Sequence, residues 1–319
     1  MNNTNHRLSI ENIEDAIKII NPIFLNSPQF ECKSLNETLG LNLIIKNEIE
    51  NPVKCFKARG SEVFISKAKS GSYIICASAG NFGQAMAYSA KKKDINLTVY
   101  ASHNANAVKI KKMKSLRANV ILYGNDFDEA KVEAKRKAQE IKARFIEDSL
   151  DIESLEGAGT IGIELLKYPK KIDTVLVALG NGALLNGIAR VFKHYNPEIK
   201  IIAVQAKGAP AMVNSWKTNT LIKHEKSETI ADGVNVRIPI PQALKDMKGM
   251  VDDAILVEDE SIIKGMKLLF KHLNLEVEPS AAVGIAAILE NKSAFKNQNV
   301  ATVICGGNIT KEQKDKWLK

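Results

Sequence analysis

Residues 174–183 read Thr-Val-Leu-Val-Ala-Leu-Gly-Asn-Gly-Ala. The first six form a short apolar run with β-branched side chains, the pattern of a strand buried on both faces; a helix would need ten residues or more. The run stops at Gly180-Asn181-Gly182-Ala183. Residues 184–192 then place Leu184, Leu185, Ile188, Val191 and Phe192 at helical spacing. Strand, glycine turn and helix in that order form the repeating unit of a parallel sheet.

The same alternation extends outward along the chain. Further strands are expected at residues 73–77, 97–101, 120–123, 201–204 and 300–305. Helical patterns lie between them, such as Ile262, Ile263, Met266, Leu269, Phe270 and Leu273. The fold class is therefore α/β with largely parallel sheets. No internal repeat, low-complexity tract or Pro/Gly/Ser-rich linker divides the sequence, so a second lobe is expected as an insertion rather than an appended domain.

Composition narrows the function classes. A chain of 319 residues with 45% hydrophobic and 25% charged content is ordinary for a globular protein. No apolar run approaches the roughly 18 residues of a membrane span, and the N-terminus lacks an export pattern, so no membrane partner is expected. The four cysteines, Cys32, Cys55, Cys76 and Cys305, have no paired spacing, which argues against a zinc site or disulfide framework and for a reducing cytoplasm. The net charge of +9 gathers in Lys91–Lys93 and in Lys109, Lys111, Lys112 and Lys114. With aromatic residues at only 6% and none interleaved with these runs, they read as solvated faces, and no nucleic-acid partner is expected.

Three strands end in loops that suit an anionic ligand. Residues 74–76 run into Ala77-Ser78-Ala79-Gly80-Asn81, with a helix expected from about Phe82. Residues 175–177 run into Gly180-Asn181-Gly182-Ala183, and residues 303–305 into Gly306-Gly307-Asn308. Ligands of open α/β sheets bind at the carboxyl ends of strands, where helix N-termini attract anions. The 180–183 loop is neither a Walker sequence nor a G-x-G-x-x-G fingerprint, yet its backbone N–H groups can hold one phosphate. The loop at Ser78–Asn81 can hold a second anion, such as a carboxylate. Residues 52–60, Pro-Val-Lys-Cys-Phe-Lys-Ala-Arg-Gly, add a distinctive lysine, Lys57. A phosphate site, a carboxylate site and a lysine are what pyridoxal-phosphate chemistry on an amino acid requires.

On these motifs the sequence resembles the fold type II pyridoxal-phosphate enzymes, most closely the threonine/serine dehydratases (ammonia-lyases). The lysine motif stands as Cys55-Phe56-Lys57-Ala58-Arg59-Gly60 and the carboxylate loop as Ser78-Ala79-Gly80-Asn81-Phe82-Gly83-Gln84. Gly157-Ala158-Gly159-Thr160-Ile161-Gly162, Ala209-Pro210-Ala211-Met212, Thr229-Ile230-Ala231-Asp232-Gly233, Val277-Glu278-Pro279-Ser280 and Cys305-Gly306-Gly307-Asn308 complete the set in order. The resemblance implies a two-lobed, tryptophan synthase β-like architecture. It expects a large cofactor-binding domain of residues 1–72 and 155–319 and a small inserted domain of residues 73–154. It also implies pyridoxal 5'-phosphate as cofactor, Lys57 as its covalent anchor and proton carrier, and Phe56 near the ring. Asn81 is implied on the 3'-oxygen, Gly180, Asn181, Gly182, Ala183 and Leu184 around the phosphate, and Cys305 against the ring nitrogen. Ser78, Ala79, Gly80, Asn81 and Phe82 are implied to hold the substrate's carboxylate. A homodimer is implied as well.

Several positions depart from the family pattern. Asn181 and Ala183 replace glycines of the phosphate loop, and Asn tolerates positive φ better than most residues. Cys305, a weak donor, stands where most members have serine, and no aspartate is present there to protonate the ring and favour transamination. Ala79 stands where members that racemise serine have a second serine, so elimination is expected rather than racemisation. Gln205 and Ala211 stand where cation-binding relatives have acidic ligands, so no divalent metal is expected there. Ala158 replaces a glutamine common in threonine dehydratases. The expected activity is α,β-elimination on L-threonine or L-serine, giving a 2-oxo acid and ammonium. The alternatives are β-replacement on a serine-like substrate and a catalytically weak cofactor-binding relative.

Overall fold

The computed structural model describes residues 6–319. Among these residues ten strands form: β1 (Gln29–Glu31), β2 (Asn42–Asn47), β3 (Tyr73–Ala77), β4 (Asn96–Ala101), β5 (Asn119–Leu122), β6 (Arg144–Ile146), β7 (Thr174–Ala178), β8 (Lys200–Ala206), β9 (Asp253–Val257) and β10 (Asn299–Ile304). They build two sheets. The larger has the order β1-β2-β10-β7-β8-β9, parallel except for the antiparallel edge pair β1–β2. The smaller has the order β5-β4-β3-β6 and is parallel throughout. Helices flank both, so each lobe is an α/β layer structure of the expected class.

The expected strands are present, β3 with the expected bounds and the others with ends shifted by one or two residues. Strands β1, β2, β6 and β9 are additional. β1 and β6 are three residues long, too short to leave a pattern. β2 carries Lys46 and Asn47 in its buried half, and those polar letters hide an interior strand. The helix expected over residues 184–192 runs from Ala183 to Tyr195, and the one expected near Phe82 starts at Asn81.

Each sheet has its own apolar core. The larger packs Ile44, Val175, Leu176, Ile201, Ile285 and Val303, all fully buried or nearly so. The smaller packs Ile74, Cys76, Met86, Val99 and Met113, and takes Phe64 and Ile65 from the Lys57–Lys67 helix. That helix therefore belongs to the small lobe on one face and to the large lobe on the other.

The second contact is set by glycine. A Cβ on Gly157 would lie 2.3 Å from the backbone nitrogen of Gly60, and one on Gly187 would lie 2.6 Å from that of Gly159. The Ile152–Leu165 helix is thus approached at backbone distance by the Lys57–Lys67 helix on one side and by the Ala183–Tyr195 helix on the other. One central helix fixes the N-termini of both neighbours, and those N-termini carry Lys57 and the 180–183 loop.

Beside this contact a charged cluster is buried. Arg59, 1% exposed, donates from Nε and Nη2 to Glu48 at 2.9 and 2.8 Å, and from Nη1 and Nη2 to Glu164 at 2.6 and 3.0 Å. Its Nη1 also donates to the Thr160 hydroxyl at 2.9 Å, and Lys46 Nζ donates to Glu164 at 2.5 Å. Burial disfavours the guanidinium charge, but Glu48 and Glu164 outweigh it and hold Arg59 above its ordinary range.

Gly157→Ala separates propensity from packing. Alanine is the better helix former by about 1 kcal/mol, but its methyl group would meet the Gly60 backbone. Urea unfolding is expected to show a net loss of about 1–3 kcal/mol; a gain in stability would contradict the backbone-contact account.

Candidate active site

The segment before Lys57 is stitched onto the end of β10. Phe56 N donates to Cys305 O at 3.1 Å, Gly307 N donates to Lys54 O at 2.9 Å, and Cys55 pairs with Gly306 in an isolated antiparallel bridge. These bonds carry the chain from the sheet into the first turn of the Lys57–Lys67 helix and set Lys57 beside Cys305. Lys57 Nζ lies 4.7 Å from the centre of the Phe56 ring and donates to Asp148 Oδ2 at 2.6 Å. Phe56 is 9% exposed, so it packs into the large core while its ring lies beneath the amine.

Asp148 leads directly to the 180–183 loop. The next residue, Ser149, is buried at φ +68, and its hydroxyl accepts from Ala183 N at 3.0 Å. Arg7 holds this dipeptide from outside, donating to Ser149 O and Leu150 O while pairing with Asp246. In the loop the left-handed residue is Gly182, at φ +102, not Asn181, so the conformational tolerance expected of Asn181 is not used. A Cβ at Gly180 would lie 2.2 Å from Gly233 O, which seats the Asp232–Val234 turn against the loop. Leu184 packs its side chain into the core, leaving only its N–H for a ligand.

The third loop follows β3. Ser78 Oγ accepts from the N–H groups of Gly80 at 3.2 Å and Gly83 at 2.9 Å, which leaves its own proton to donate. The helix beginning at Asn81 presents its first N–H groups beside that hydroxyl. Phe82 is buried in the small core and offers backbone groups only, while Ala79, partly buried at its edge, has a methyl group that carries no exchangeable proton.

Asn81 joins the lobes. Its Nδ2 donates to Glu278 Oε1 at 2.7 Å, and its Oδ1 accepts from Asn308 Nδ2 at 2.8 Å. Asn308 Oδ1 in turn accepts from Lys112 Nζ at 3.0 Å, where burial holds the half-buried lysine below its ordinary range. Glu278 is partly buried, and desolvation raises its carboxyl despite the Asn81 amide and the positive field of Lys109. Cys305 is buried and donates weakly to Ser280 O at 3.7 Å; burial pushes its thiol up, as it pushes Cys55 up to about 12. Gln205 is committed within the large lobe, donating to Val234 O and accepting from Val213 N. Ala158 is buried in the large core.

Contacts thus link Lys57 to Phe56 and Asp148, the chain before it to the end of β10, Ser149 to the 180–183 loop, and Asn81 to Asn308. Sequence reading missed five neighbours. Glu278 and Asn308 were inside quoted motifs, and only the fold gives them a role. Lys112 was counted with the solvated lysines. Asp148 and Ser149 lay in no motif at all.

The residues fit pyridoxal phosphate. The lysine amine and the first N–H of the Ala183–Tyr195 helix contact adjacent residues, Asp148 and Ser149. The phosphate cradle is a turn held open by a left-handed glycine at a helix N-terminus.

A family profile described as pyridoxal-phosphate dependent enzyme matches residues 20–306. The chain is 32% identical to an L-threonine ammonia-lyase of Thermotoga maritima over 305 residues, covering 95% of this chain and 76% of that protein. It is 33% identical to a catabolic L-threonine dehydratase of Staphylococcus aureus over 313 residues, covering 96% and 90%. Among solved structures, the processed threonine deaminase isoform 2 of Solanum lycopersicum matches with a TM-score of 0.88 at 28% identity, covering 97% of this chain and 88% of that one. Maize serine racemase matches with a TM-score of 0.89 at 28% identity, covering 97% and 96%. On the family match over residues 20–306 and on these relatives, this chain belongs to the pyridoxal-phosphate-dependent enzymes of fold type II.

Proposed function

We propose that this protein is an ammonia-lyase that performs α,β-elimination on a β-hydroxy amino acid, L-threonine or L-serine, releasing a 2-oxo acid and ammonium. The reading is carried by Lys57, whose amine is held by Asp148 over the Phe56 ring, and is supported by the names of the relatives. When bound, pyridoxal phosphate supplies an electron sink for the pair left at the substrate's α-carbon.

The chain's own residues do the rest. Lys57 anchors the cofactor, and its freed amine takes the α-proton. The N–H groups of residues 180–184 take the phosphate, with Ser149 positioned to exchange its bond to Ala183 N for one to the ligand. The Ser78 hydroxyl and the N–H groups from Ala79 to Phe82 take the substrate's carboxylate. Asn81 is held by Glu278 and Asn308 for the 3'-oxygen. Burial keeps the Cys305 thiol protonated, so by giving up its weak bond to Ser280 O it would offer the ring nitrogen a weak neutral donor and no charge. Gln205 and Ala211 supply no carboxylate for a divalent metal.

The division into residues 1–72 with 155–319 and residues 73–154 follows the two sheets, since every strand of the smaller one lies between Tyr73 and Ile146. Among the described residues no helix is long and apolar enough to cross a membrane. A cytoplasmic homodimer is the assembly this reading adopts.

Borohydride treatment of the cofactor-loaded protein should fix the cofactor to the peptide containing Lys57, and Lys57→Ala should abolish both the label and the visible absorbance band. A label on another lysine would overturn the assignment.

Reaction type rests on Ala79, whose methyl group cannot deliver a proton to the face opposite Lys57. Chiral chromatography of unreacted serine beside a pyruvate assay should find D-serine at background. Ala79→Ser should raise racemisation relative to elimination on the order of tenfold or more. Wild-type protein that made D-serine as fast as pyruvate would contradict it.

A further inference from the structure

Asp148 is a carboxylate that none of the site motifs accounts for. Its Oδ2 holds the Lys57 ammonium at 2.6 Å, and its Oδ1 is buried without a hydrogen-bond partner. The side chain is 17% exposed and faces the cleft between the lobes. Nearby cations are committed elsewhere: Lys131 and Lys135 pair with Glu147, and Arg144 pairs with Asp151 and Glu153.

Asp148 can hold the Lys57 ammonium only while that amine is free. Once Lys57 is in covalent linkage its nitrogen is no longer a free ammonium, and Asp148 loses its partner. A half-buried carboxylate in that position is costly unless another cation or donor reaches it. To take the α-proton, Nζ must come within roughly 3 Å of Cα, and with its amine free it lies 2.6 Å from Oδ2. One side chain reaching both positions puts the carboxylate in range of a group on the substrate's β-carbon, through one charge-assisted hydrogen bond.

Resting on the lyase reading above, we infer that Asp148 is a specificity-determining residue that selects amino acids carrying a cationic β-substituent, with a β-ammonium as the group it fits. The Lys57 ammonium occupies the place that this substituent takes. The chemistry balances without an added acid. Lys57 takes the α-proton, and the electron pair of that C–H bond forms the Cα–Cβ double bond. The Cβ–N bond breaks with its pair going to nitrogen, and neutral ammonia departs. One water then hydrolyses the remaining enamine to a 2-oxo acid and a second ammonia. A β-hydroxyl, by contrast, needs a proton before it can leave. A β-carboxylate or β-phosphate would face like charge at Asp148.

The probe is L-2,3-diaminopropionate, compared with L-serine and L-threonine. Covalent labelling of Lys57 in the wild-type protein comes first, and its failure would strike the lyase reading rather than this one. Calorimetry is then run on the cofactor-loaded Lys57→Ala variant, which binds without turnover. Diaminopropionate should bind at least about tenfold tighter than serine, the scale of one charge-assisted hydrogen bond, and adding Asp148→Asn should remove the preference. In turnover, the ratio of kcat/KM for diaminopropionate to that for serine should exceed one in the wild type. It should fall by about tenfold or more in Asp148→Asn and return in part in Asp148→Glu. A wild-type protein that neither binds nor turns over diaminopropionate better than serine would overturn the proposal, whether or not the variants fold. So would an Asp148→Asn variant that loses both substrates equally, because Asp148 would then serve the site as a whole and not the β-substituent.

Discussion

The buried fork of Arg59 between Glu48 and Glu164 is the constraint on which the site depends. Two cations, Arg59 and Lys46, face two carboxylates in a region closed to water. Such a cluster is weak evidence for stability, since its desolvation offsets most of its attraction, but losing one member leaves uncompensated charge behind. Its value is directional. A planar guanidinium bonded on both edges admits one orientation. Arg59 is two residues after Lys57, so the fork fixes the helix turn from which the lysine amine enters the cleft.

The rest of the cleft follows from how that helix is seated. Gly60 against Gly157 and Gly187 against Gly159 let three helices touch at backbone distance. The lysine and the phosphate turn thereby sit at the N-termini of two helices braced by a common third. β10 supplies the floor, because its end is bonded to the chain just before Lys57. What remains is electrically sparse: a neutral thiol at Cys305, a methyl group at Ala79 and an amide at Asn81. The two carboxyl groups that do face the cleft, Glu278 and Asp148, differ in setting. Glu278 is bonded to an amide, whereas Asp148 holds an amine that the chemistry must free.

Much of this was legible in the sequence wherever one residue type serves one physical need. An apolar run ending in glycine marked β7, and a lysine followed by Ala-Arg-Gly marked the anchor. Legibility failed where a letter has two meanings. Lys46 reads as solvent-exposed, yet it lies in an interior strand because Glu164 is across from it. Asn181 reads as the residue able to take positive φ, while the chain assigns that conformation to Gly182. Lys112 reads as one of a basic run, but it reaches across the lobes to Asn308. Asp148 and Ser149 carry no pattern because their roles exist only once residues 57, 148 and 183 meet. No local spacing encodes a contact across 91 residues.

The most direct test of the central claim is urea unfolding of Arg59→Met, read alongside the folded variant's capacity to attach pyridoxal phosphate at Lys57. The substitution keeps much of the side chain's apolar length and removes the fork. The account predicts a loss of about 3–5 kcal/mol and, in the fraction that remains folded, little covalent attachment at Lys57. A variant as stable as the wild type that still attaches the cofactor at Lys57 at the wild-type rate would contradict it.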